Sequence, residues 1–339
     1  MTRSEWKQRF KSLMQELAGI AQRFHDLMLN YPCKDREPPD VDTLRQDVKE
    51  VLHECESRKS GLSLKRLWEL LRLMPPTGKR ANLLEGKTWL RHSISIWSDL
   101  RKTKSERELK HPAMFPSALA ERLIECFTNE QSRVILDPFA GVGSTLIAAK
   151  ELGKDAIGIE ISPEFAEIAR RRVQQVLPFE GTPDINIHVA DCRDLAAYVP
   201  AKSVDMVITS PPYWDILLEK RTADYKPSRD YGDTRADLGK IRDYQEFLSE
   251  LRKVFVQVYD AMKPKGYCCV VVMDLRKKSH FYPFHMEISR FMQDIGFVLD
   301  DIVIWDRGQE YNNLRPLGYP SVFRVNRIHE FILIFQRPE

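Results

Sequence analysis

The sequence lacks the signatures of several common classes of site. Its six cysteines form no Cys-x-x-Cys pair and no zinc-ligand spacing, and Cys268 and Cys269 lie inside an apolar run. We therefore expect reduced thiols and no metal site, as is usual for an intracellular protein. No apolar run approaches the length of a membrane span, and residues 1–10 contain no apolar signal stretch. These features predict a cytoplasmic protein that makes no membrane contact.

A strong net charge is also missing, but the charge is unevenly distributed. The 339 residues carry a net charge of only +3, yet 14 Lys and Arg face five Asp and Glu between Arg58 and Lys110. A basic segment beside a near-neutral to acidic body suggests contact with a polyanion. Seven of these basic residues lie in the stretch 86–110. A solvated basic linker is the alternative interpretation of that stretch.

The sequence pattern changes near residue 110. Residues 1–110 are predicted to form a helical, partly basic N-terminal region, serving as a DNA grip, a docking element or a structural cap. From 111 to 339, strands alternate with amphipathic helices, which predicts an α/β fold with a mainly parallel, doubly wound sheet of about seven strands. The predicted strands are 134–139, 156–161, 186–191, 205–210, 267–274, 300–305 and 330–335. A long loop precedes the seventh strand, which could therefore enter antiparallel.

The first three predicted strands end in residues suited to a nucleoside. Gly141 and Gly143 form a tight turn before a helix, where backbone N–H groups can approach a ligand closely. Such a turn alone often binds nothing. Glu160, however, ends the next strand and could accept ribose hydroxyls, while Asp191 ends the third and could accept from an adenine amine. Because no complete pyrophosphate cradle or nucleotide-hydrolase loop is present, the pattern favours a nucleoside without a polyphosphate, and S-adenosylmethionine fits.

The fourth predicted strand ends abruptly in "TSPPYWDI", residues 209–216. Two consecutive prolines cannot donate hydrogen bonds to a sheet, so they end the strand and hold an extended kink. One interpretation is a plain strand exit with packing aromatics. The other is a reactive edge, because this position lies beside the switch point where doubly wound sheets bind ligands. Trp214 could belong to either a pocket wall or the core.

The motif order "DPFAGVGS…GIEIS…VADCRDL…TSPPYW" resembles the bacterial DNA amino-methyltransferases of the N4-cytosine/N6-adenine family, of restriction–modification type. The resemblance covers about residues 89–337. It implies a Rossmann-like, S-adenosylmethionine-dependent catalytic domain at 111–339, with an insertion at 219–243. The cofactor-binding residues it implies, together with the pattern above, are Asp137, Phe139, Gly141, Gly143, Glu160, Asp191, Cys192, His111 and Pro112.

The same resemblance assigns the catalytic quartet to Ser210, Pro211, Pro212 and Tyr213. Ser210 and Pro211 would hold the target amine, and Tyr213 would stack on a base flipped out of double-stranded DNA. The serine form is typical of cytosine-N4 enzymes. Three alternatives stay open: methylation of adenine N6, an RNA amino-methyltransferase, and a catalytically silent DNA-binding subunit. A cognate restriction or defence-system partner is possible for this family.

Several basic residues are candidates for contact with nucleic acid. Arg91, Arg101, Lys102 and Lys104 lie in the stretch 86–110, and Lys226 and Arg229 lie in the insertion 219–243. A mobile surface lid without base contacts is the alternative for the insertion. The basic stretch "MDLRKKSHFYPF", residues 273–284, is either a phosphate contact or a solvated loop.

Overall fold

The computed structural model describes residues 81–109, 114–129, 131–176, 183–216, 237–310, 321–322 and 324–339. Ala81–Glu339 forms one compact unit. Four sets of sequence predictions lie outside the described residues, either wholly or for the most part. These are the region 1–80, most of the insertion 219–243, the pair His111 and Pro112, and the pair Lys226 and Arg229.

The described chain builds one large sheet and one small ribbon. The ten strands described are β1 Ile96–Trp97, β2 Val134–Asp137, β3 Asp155–Glu160, β4 Ile185–Val189, β5 Val204–Thr209, β6 Met262–Val272, β7 Leu275–Lys277, β8 His280–Tyr282, β9 Val298–Asp306 and β10 His329–Gln336. The large sheet has the order β1-β9-β10-β6-β5-β2-β3-β4, and β7 and β8 pair separately. The neighbours of β2 are β3 and β5, both parallel to it, so the chain reverses its direction of winding there. This is the position at which ligands bind to doubly wound sheets.

The helices lie on both faces of the large sheet. They are α1 Gly86–His92, α2 Lys104–Glu108, α3 Ser117–Phe127, α4 Ser144–Glu151, α5 Pro163–Gln175, α6 Tyr244–Ala261 and α7 Phe284–Ile295. One hydrophobic core packs α6 and α7 against the sheet, and a second packs α3 and α4 against it. None of the helices in the described ranges is both long and apolar enough to cross a bilayer.

The predicted Rossmann-like α/β fold is confirmed, and all seven predicted strands are present. The antiparallel entry of the last strand is confirmed too, since β10 runs antiparallel to both β6 and β9. The strands could be predicted because residues 206–208 of β5 and the second half of β6 are buried on both faces and form apolar runs. The basic stretch after β6 differs from the predicted loop, because β7 and β8 pair as a short antiparallel ribbon.

The described part of the stretch 86–110 packs with the sheet, whereas the sequence pattern set the change of region at residue 110. Strand β1 extends the sheet by pairing parallel to β9, with Trp97 in register with Trp305. Both indoles are buried. The indole N–H of Trp305 donates to the carbonyl of Leu100 at 3.2 Å. The burial of Trp97 could not be predicted from the sequence, because the surrounding segment is basic and its strand has only two residues.

A buried carboxylate joins the strands at the switch point. Asp137, the last residue of β2, is 2% exposed. Its carboxylate accepts hydrogen bonds from the hydroxyls of Thr145 and Thr209, each at 2.7 Å, and from the backbone N–H of Phe139 at 3.0 Å. Burial raises the pKa of Asp137 to about 6 in spite of these three donors. Asp137 thereby ties the end of β2 to the start of α4 and to the end of β5.

Replacing this joint should destabilise the fold. Asp137→Ala leaves two buried hydroxyls and one N–H without their acceptor, so we expect the free energy of unfolding to fall by about 2–4 kcal/mol. Urea denaturation followed by circular dichroism measures this change. Asp260→Ala, at an exposed position in the last turn of α6, is the matched control and should change stability by less than about 0.5 kcal/mol. Equal effects of the two substitutions would contradict the role of Asp137 in tying β2 to α4 and β5.

Candidate active site

An open cavity lies at the carboxyl ends of β2, β3 and β5. Its volume is about 760 Å³, counted to the solvent at its mouth. Eight residues predicted from the sequence line it: Asp137, Phe139, Gly141, Glu160, Asp191, Cys192, Ser210 and Pro212. The structure therefore brings the predicted cofactor residues and the predicted reactive edge to one place. Gly143, Pro211 and Tyr213 were predicted to belong to this site but do not line the cavity.

The glycine turn has the backbone geometry for which glycine is needed. Gly141 has φ +52° and Gly143 has φ +83°, both in the left-handed region. A Cβ atom on Gly143 would lie 3.0 Å from the Cβ of Ala169 in α5. Gly143 therefore serves the close packing of α4 against α5, while Gly141 faces the cavity.

Glu160 closes the turn from the end of β3. One carboxylate oxygen accepts from the backbone N–H of Gly141 at 2.7 Å, and the other accepts from the N–H of Ser162 at 2.8 Å. Burial raises the pKa of Glu160 to about 7 in spite of these bonds. Because each carboxylate oxygen has two acceptor positions, Glu160 can still accept from a ligand hydroxyl.

Asp191 and Cys192 form the next part of the wall. Burial alone would raise the pKa of Asp191, but hydrogen bonds from the side chain and backbone of Arg193 outweigh it and keep this pKa below its ordinary value. Asp191 is therefore ionised at neutral pH. Burial raises the pKa of the Cys192 thiol, so this thiol is no nucleophile. The four cysteines in the described ranges are all buried and form no disulfide.

The described wall of the cavity is charged with one sign only. Four carboxylates line it, those of Asp137, Glu160, Asp191 and Asp237, and the described lining contains no Lys or Arg. An anionic polyphosphate would be repelled there, whereas a ligand that carries sulfonium and ammonium groups would be attracted. The residues present thus fit S-adenosylmethionine. Among the described residues, no cluster of His, Cys, Asp and Glu is arranged to hold a metal ion.

The lining residues that were not predicted include four from outside the strand ends and the glycine turn: Met114, Phe115, Asp237 and Leu238. Phe115 is held against the start of α4, because the hydroxyl of Ser144 donates to its carbonyl at 2.9 Å. Asp237 caps a short 3₁₀ helix, Leu238–Lys240, by accepting from the N–H of Gly239. The pair "DL" in a polar insertion carries no local signal for a cavity wall, so sequence reasoning could not select it.

Tyr213 is buried rather than presented to a ligand. Its side chain is 9% exposed, and its ring packs edge-on against Phe284. Its hydroxyl lies 2.8 Å from Glu330 Oε2 and 3.2 Å from Ser210 Oγ, and Arg307 pairs with the other oxygen of Glu330. This differs from the predicted base-stacking face, which needs an open ring surface. The ring belongs to the hydrophobic core, and Glu330, which accepts from its hydroxyl, lies 117 residues away in the sequence.

Trp214 and Asp215 belong to the core and not to the cavity wall. Trp214 has φ +51°, an unusual value for a bulky residue, and it turns the chain inward after Tyr213. Its indole packs against Tyr244 at 4.9 Å and Tyr282 at 5.1 Å between ring centroids. The ammonium of Lys277 lies 4.3 Å from the centroid of the indole and 2.6 Å from the carboxylate of Asp215. Trp214 and Asp215, which follow the reactive edge, are thus held against the ribbon β7–β8.

The candidate phosphate contacts in 86–110 differ in exposure. Arg91, Arg101 and Lys104 are exposed. Lys102 is half-buried, and burial together with the nearby charge of Arg307 lowers its pKa. Lys102 is therefore less available to a phosphate than the other three.

The chain is similar in sequence to known methyltransferases. The family model described as DNA methylase matches residues 8–171 and 204–339, and a general methyltransferase-domain model matches residues 135–221. A type II methyltransferase, M2.LlaDCHI of Lactococcus lactis subsp. cremoris, is 40% identical over 81 residues, which are 24% of this chain and 30% of the relative. A tRNA (guanine(10)-N2)-dimethyltransferase of Methanothermobacter thermautotrophicus is 27% identical over 180 residues, 51% of this chain and 48% of the relative.

The chain therefore spans less than half the length of either relative. A crystal structure described as a DNA modification methylase of Thermus thermophilus, complexed with S-adenosyl-L-methionine, is 28% identical. It covers 44% of this chain and 54% of that chain, with a TM-score of 0.32. Since the DNA methylase model matches most of the chain, the protein belongs to this family of amino-methyltransferases, for which S-adenosylmethionine is the methyl donor.

Proposed function

We propose that this protein methylates an exocyclic amine of a base in double-stranded DNA, with cytosine N4 as the favoured target. The observation that carries the proposal is the position of Ser210. Its hydroxyl lies at the carboxyl end of β5, at the wall of a cavity whose charge and glycine turn fit the methyl donor. The proposed position of the methyl acceptor and the proposed site of the methyl donor thus lie in one cavity, as a direct methyl transfer requires.

The carboxylates bind and orient the donor in this scheme. Glu160 accepts the ribose hydroxyls, Asp191 accepts from the adenine amine, and the backbone of the turn at Gly141 approaches the ligand closely. When bound, S-adenosylmethionine supplies an electrophilic methyl group on its sulfonium. Carboxylates in the wall favour this cation over the product, which has lost the sulfonium charge, and this difference helps exchange after each turnover.

Two hydrogen bonds in series, from Ser210 to Tyr213 and from Tyr213 to Glu330, form a relay. This relay determines which further hydrogen bonds Ser210 can make. Burial raises the pKa of Tyr213 well above its ordinary value, and the nearby carboxylate of Glu330 raises it further. The phenol therefore keeps its proton and uses it in a hydrogen bond to Glu330 Oε2. The Ser210 hydroxyl in turn donates to the phenol oxygen, so its own lone pairs remain free to accept.

A serine oxygen in this state suits an amine that must become a nucleophile. The lone pair of an exocyclic amine is conjugated into the ring, which makes the nitrogen a poor nucleophile. Acceptance of an amine hydrogen by Ser210 Oγ, at the cavity wall, favours a pyramidal nitrogen whose lone pair can attack the methyl in line. Base flipping is part of the proposal because an amine inside a duplex cannot reach the cavity.

The choice between DNA and RNA is the sharpest test. Incubating the full chain with labelled S-adenosylmethionine and either duplex DNA or total tRNA, followed by nucleoside mass spectrometry, identifies both polymer and base. We expect N4-methylcytosine in DNA. The similarity to a tRNA guanine-N2 enzyme motivates the second arm. Product in RNA alone would overturn the proposal, and N6-methyladenine in DNA would retain the chemistry but change the base.

Removing one oxygen atom should test the relay. Tyr213→Phe keeps the packed ring and the Glu330–Arg307 pair, but frees the Ser210 proton to turn toward the amine. The loss of one oriented hydrogen bond corresponds to about 1–2 kcal/mol, so we expect kcat to fall about 5- to 30-fold with unchanged cofactor affinity. Tyr198→Phe, at an exposed tyrosine, is the control. Equal kcat values for the two variants would refute the relay.

The raised pKa of Glu160 predicts a pH dependence of cofactor binding. Below pH 7 the free protein holds this carboxyl mostly protonated, whereas the ribose hydroxyls need the ionised acceptor. Affinity should therefore rise with pH through about 7, and fall by up to about tenfold for each pH unit below it. Isothermal titration calorimetry between pH 6 and 8 measures the profile. Glu160→Gln should bind more weakly and lose this dependence, and matching profiles for both proteins would exclude Glu160 as its source.

A further inference from the structure

The ribbon β7–β8 carries a positive cluster that the cavity does not use. Its strands pair in the register Leu275–Tyr282, Arg276–Phe281 and Lys277–His280, with a two-residue turn of Lys278 and Ser279. Residues 275–282 include three Lys and Arg side chains and no acidic one. Lys278 through Phe281 are exposed. The ribbon therefore presents charge to solvent at its tip.

Two arginines share one exposed aromatic ring on this ribbon. The guanidinium carbons of Arg276 and Arg327 lie 5.4 and 5.5 Å from the centroid of Phe281, whose side chain is 42% exposed. Within the described ranges, neither guanidinium forms an ion pair with a carboxylate. Asp274 attracts Arg327, but its carboxylate is bonded to the ring of His285 at 2.5 Å.

Holding these arginines together is unfavourable in the free protein. Burial lowers the pKa of Arg327, and the positive charge of Arg276 lowers it further. Both side chains nevertheless stay charged at any physiological pH. Two like charges over one ring are relieved by an anion that contacts both, and guanidinium groups match phosphate oxygens in geometry.

The turn shows a second departure from what folding alone favours. Lys278 has φ +54°, in the left-handed region where glycine or asparagine is preferred. A lysine there costs about 1 kcal/mol relative to glycine. Lys278 is exposed there, so its ammonium group faces solvent at the tip of the ribbon.

The ribbon is fastened to the reactive edge. Lys277 pairs with Asp215 at 2.6 Å, and Tyr282 packs against Trp214. These two partners follow Tyr213 directly in the chain. Whatever the tip of the ribbon binds is therefore held at a fixed position relative to Ser210.

We propose that the ribbon β7–β8, together with Arg327, grips the phosphate backbone of duplex DNA beside the target base. The inference rests on the proposed function and adds the contact that positions the duplex. Arg276 and Arg327 bind phosphate through a pair of guanidinium groups stacked on Phe281, and Lys278 adds a third phosphate contact at the tip. These contacts are independent of base sequence and fix the register of the duplex over the cavity.

The salt dependence of DNA affinity tests this grip. The double variant Arg276→Gln/Arg327→Gln of the full chain is compared with the wild type on one duplex over a series of KCl concentrations. Each phosphate contact contributes about 0.9 to the slope of log affinity against log salt. We expect the slope to become shallower by about 2, while the affinity for S-adenosylmethionine stays unchanged. Lys278→Gly, which suits the left-handed backbone, should make it shallower by about 1.

The control removes the same charge elsewhere. Arg252→Gln/Arg290→Gln alters two exposed arginines on α6 and α7 and should leave the slope unchanged. If the wild type methylates DNA and both the Arg276/Arg327 and the Lys278 variants behave like this control, the grip is refuted while the proposed function stands. A wild type that binds and methylates only RNA overturns both.

Discussion

The hydrogen bonds that the Asp137 carboxylate accepts are the constraint on which the site depends. One buried carboxylate accepts from Thr145 at the start of α4 and from Thr209, the residue before Ser210. The glycine turn and the reactive edge lie on adjacent strands, but strand pairing fixes them only along the sheet. The shared carboxylate fixes the two strand ends against each other. Because methyl transfer tolerates little error in distance, the proposed activity would depend on these hydrogen bonds as well.

Charge separates the sites of the two ligands in the proposed function. The cavity is lined by four carboxylates and suits a cation, while the ribbon beside the reactive edge carries a pair of arginines and suits a polyanion. A uniformly basic surface would attract DNA but weaken the binding of the donor. The ion pair of Lys277 and Asp215 joins the reactive edge to the ribbon, and its two charges cancel. The protein's small net charge thus conceals two strong local fields of opposite sign.

The strands and the strand-end carboxylates could be predicted because each depends on local sequence. Buried parallel strands read as apolar runs, and Glu160 and Asp191 follow such runs directly. The environment of Tyr213 could not be predicted in this way, since it depends on Glu330 and Arg307, which reach it from the far end of the chain. The wall residue Asp237 and the left-handed Trp214 likewise follow from tertiary packing.

The relay also separates the chemistry from the choice of base. In the function proposed above, Ser210 recognises an amine hydrogen, which cytosine and adenine both present on a conjugated exocyclic nitrogen. In that proposal Ser210 stays an acceptor whichever base arrives, because its hydroxyl donates a hydrogen bond to Tyr213 and the Tyr213 hydroxyl donates one to Glu330. Discrimination between the bases therefore requires contacts with the ring edge, made by side chains outside the quartet. A change of target base can then leave Ser210, Tyr213 and Glu330 unaltered, whereas a loss of Glu330 would impair transfer to either base.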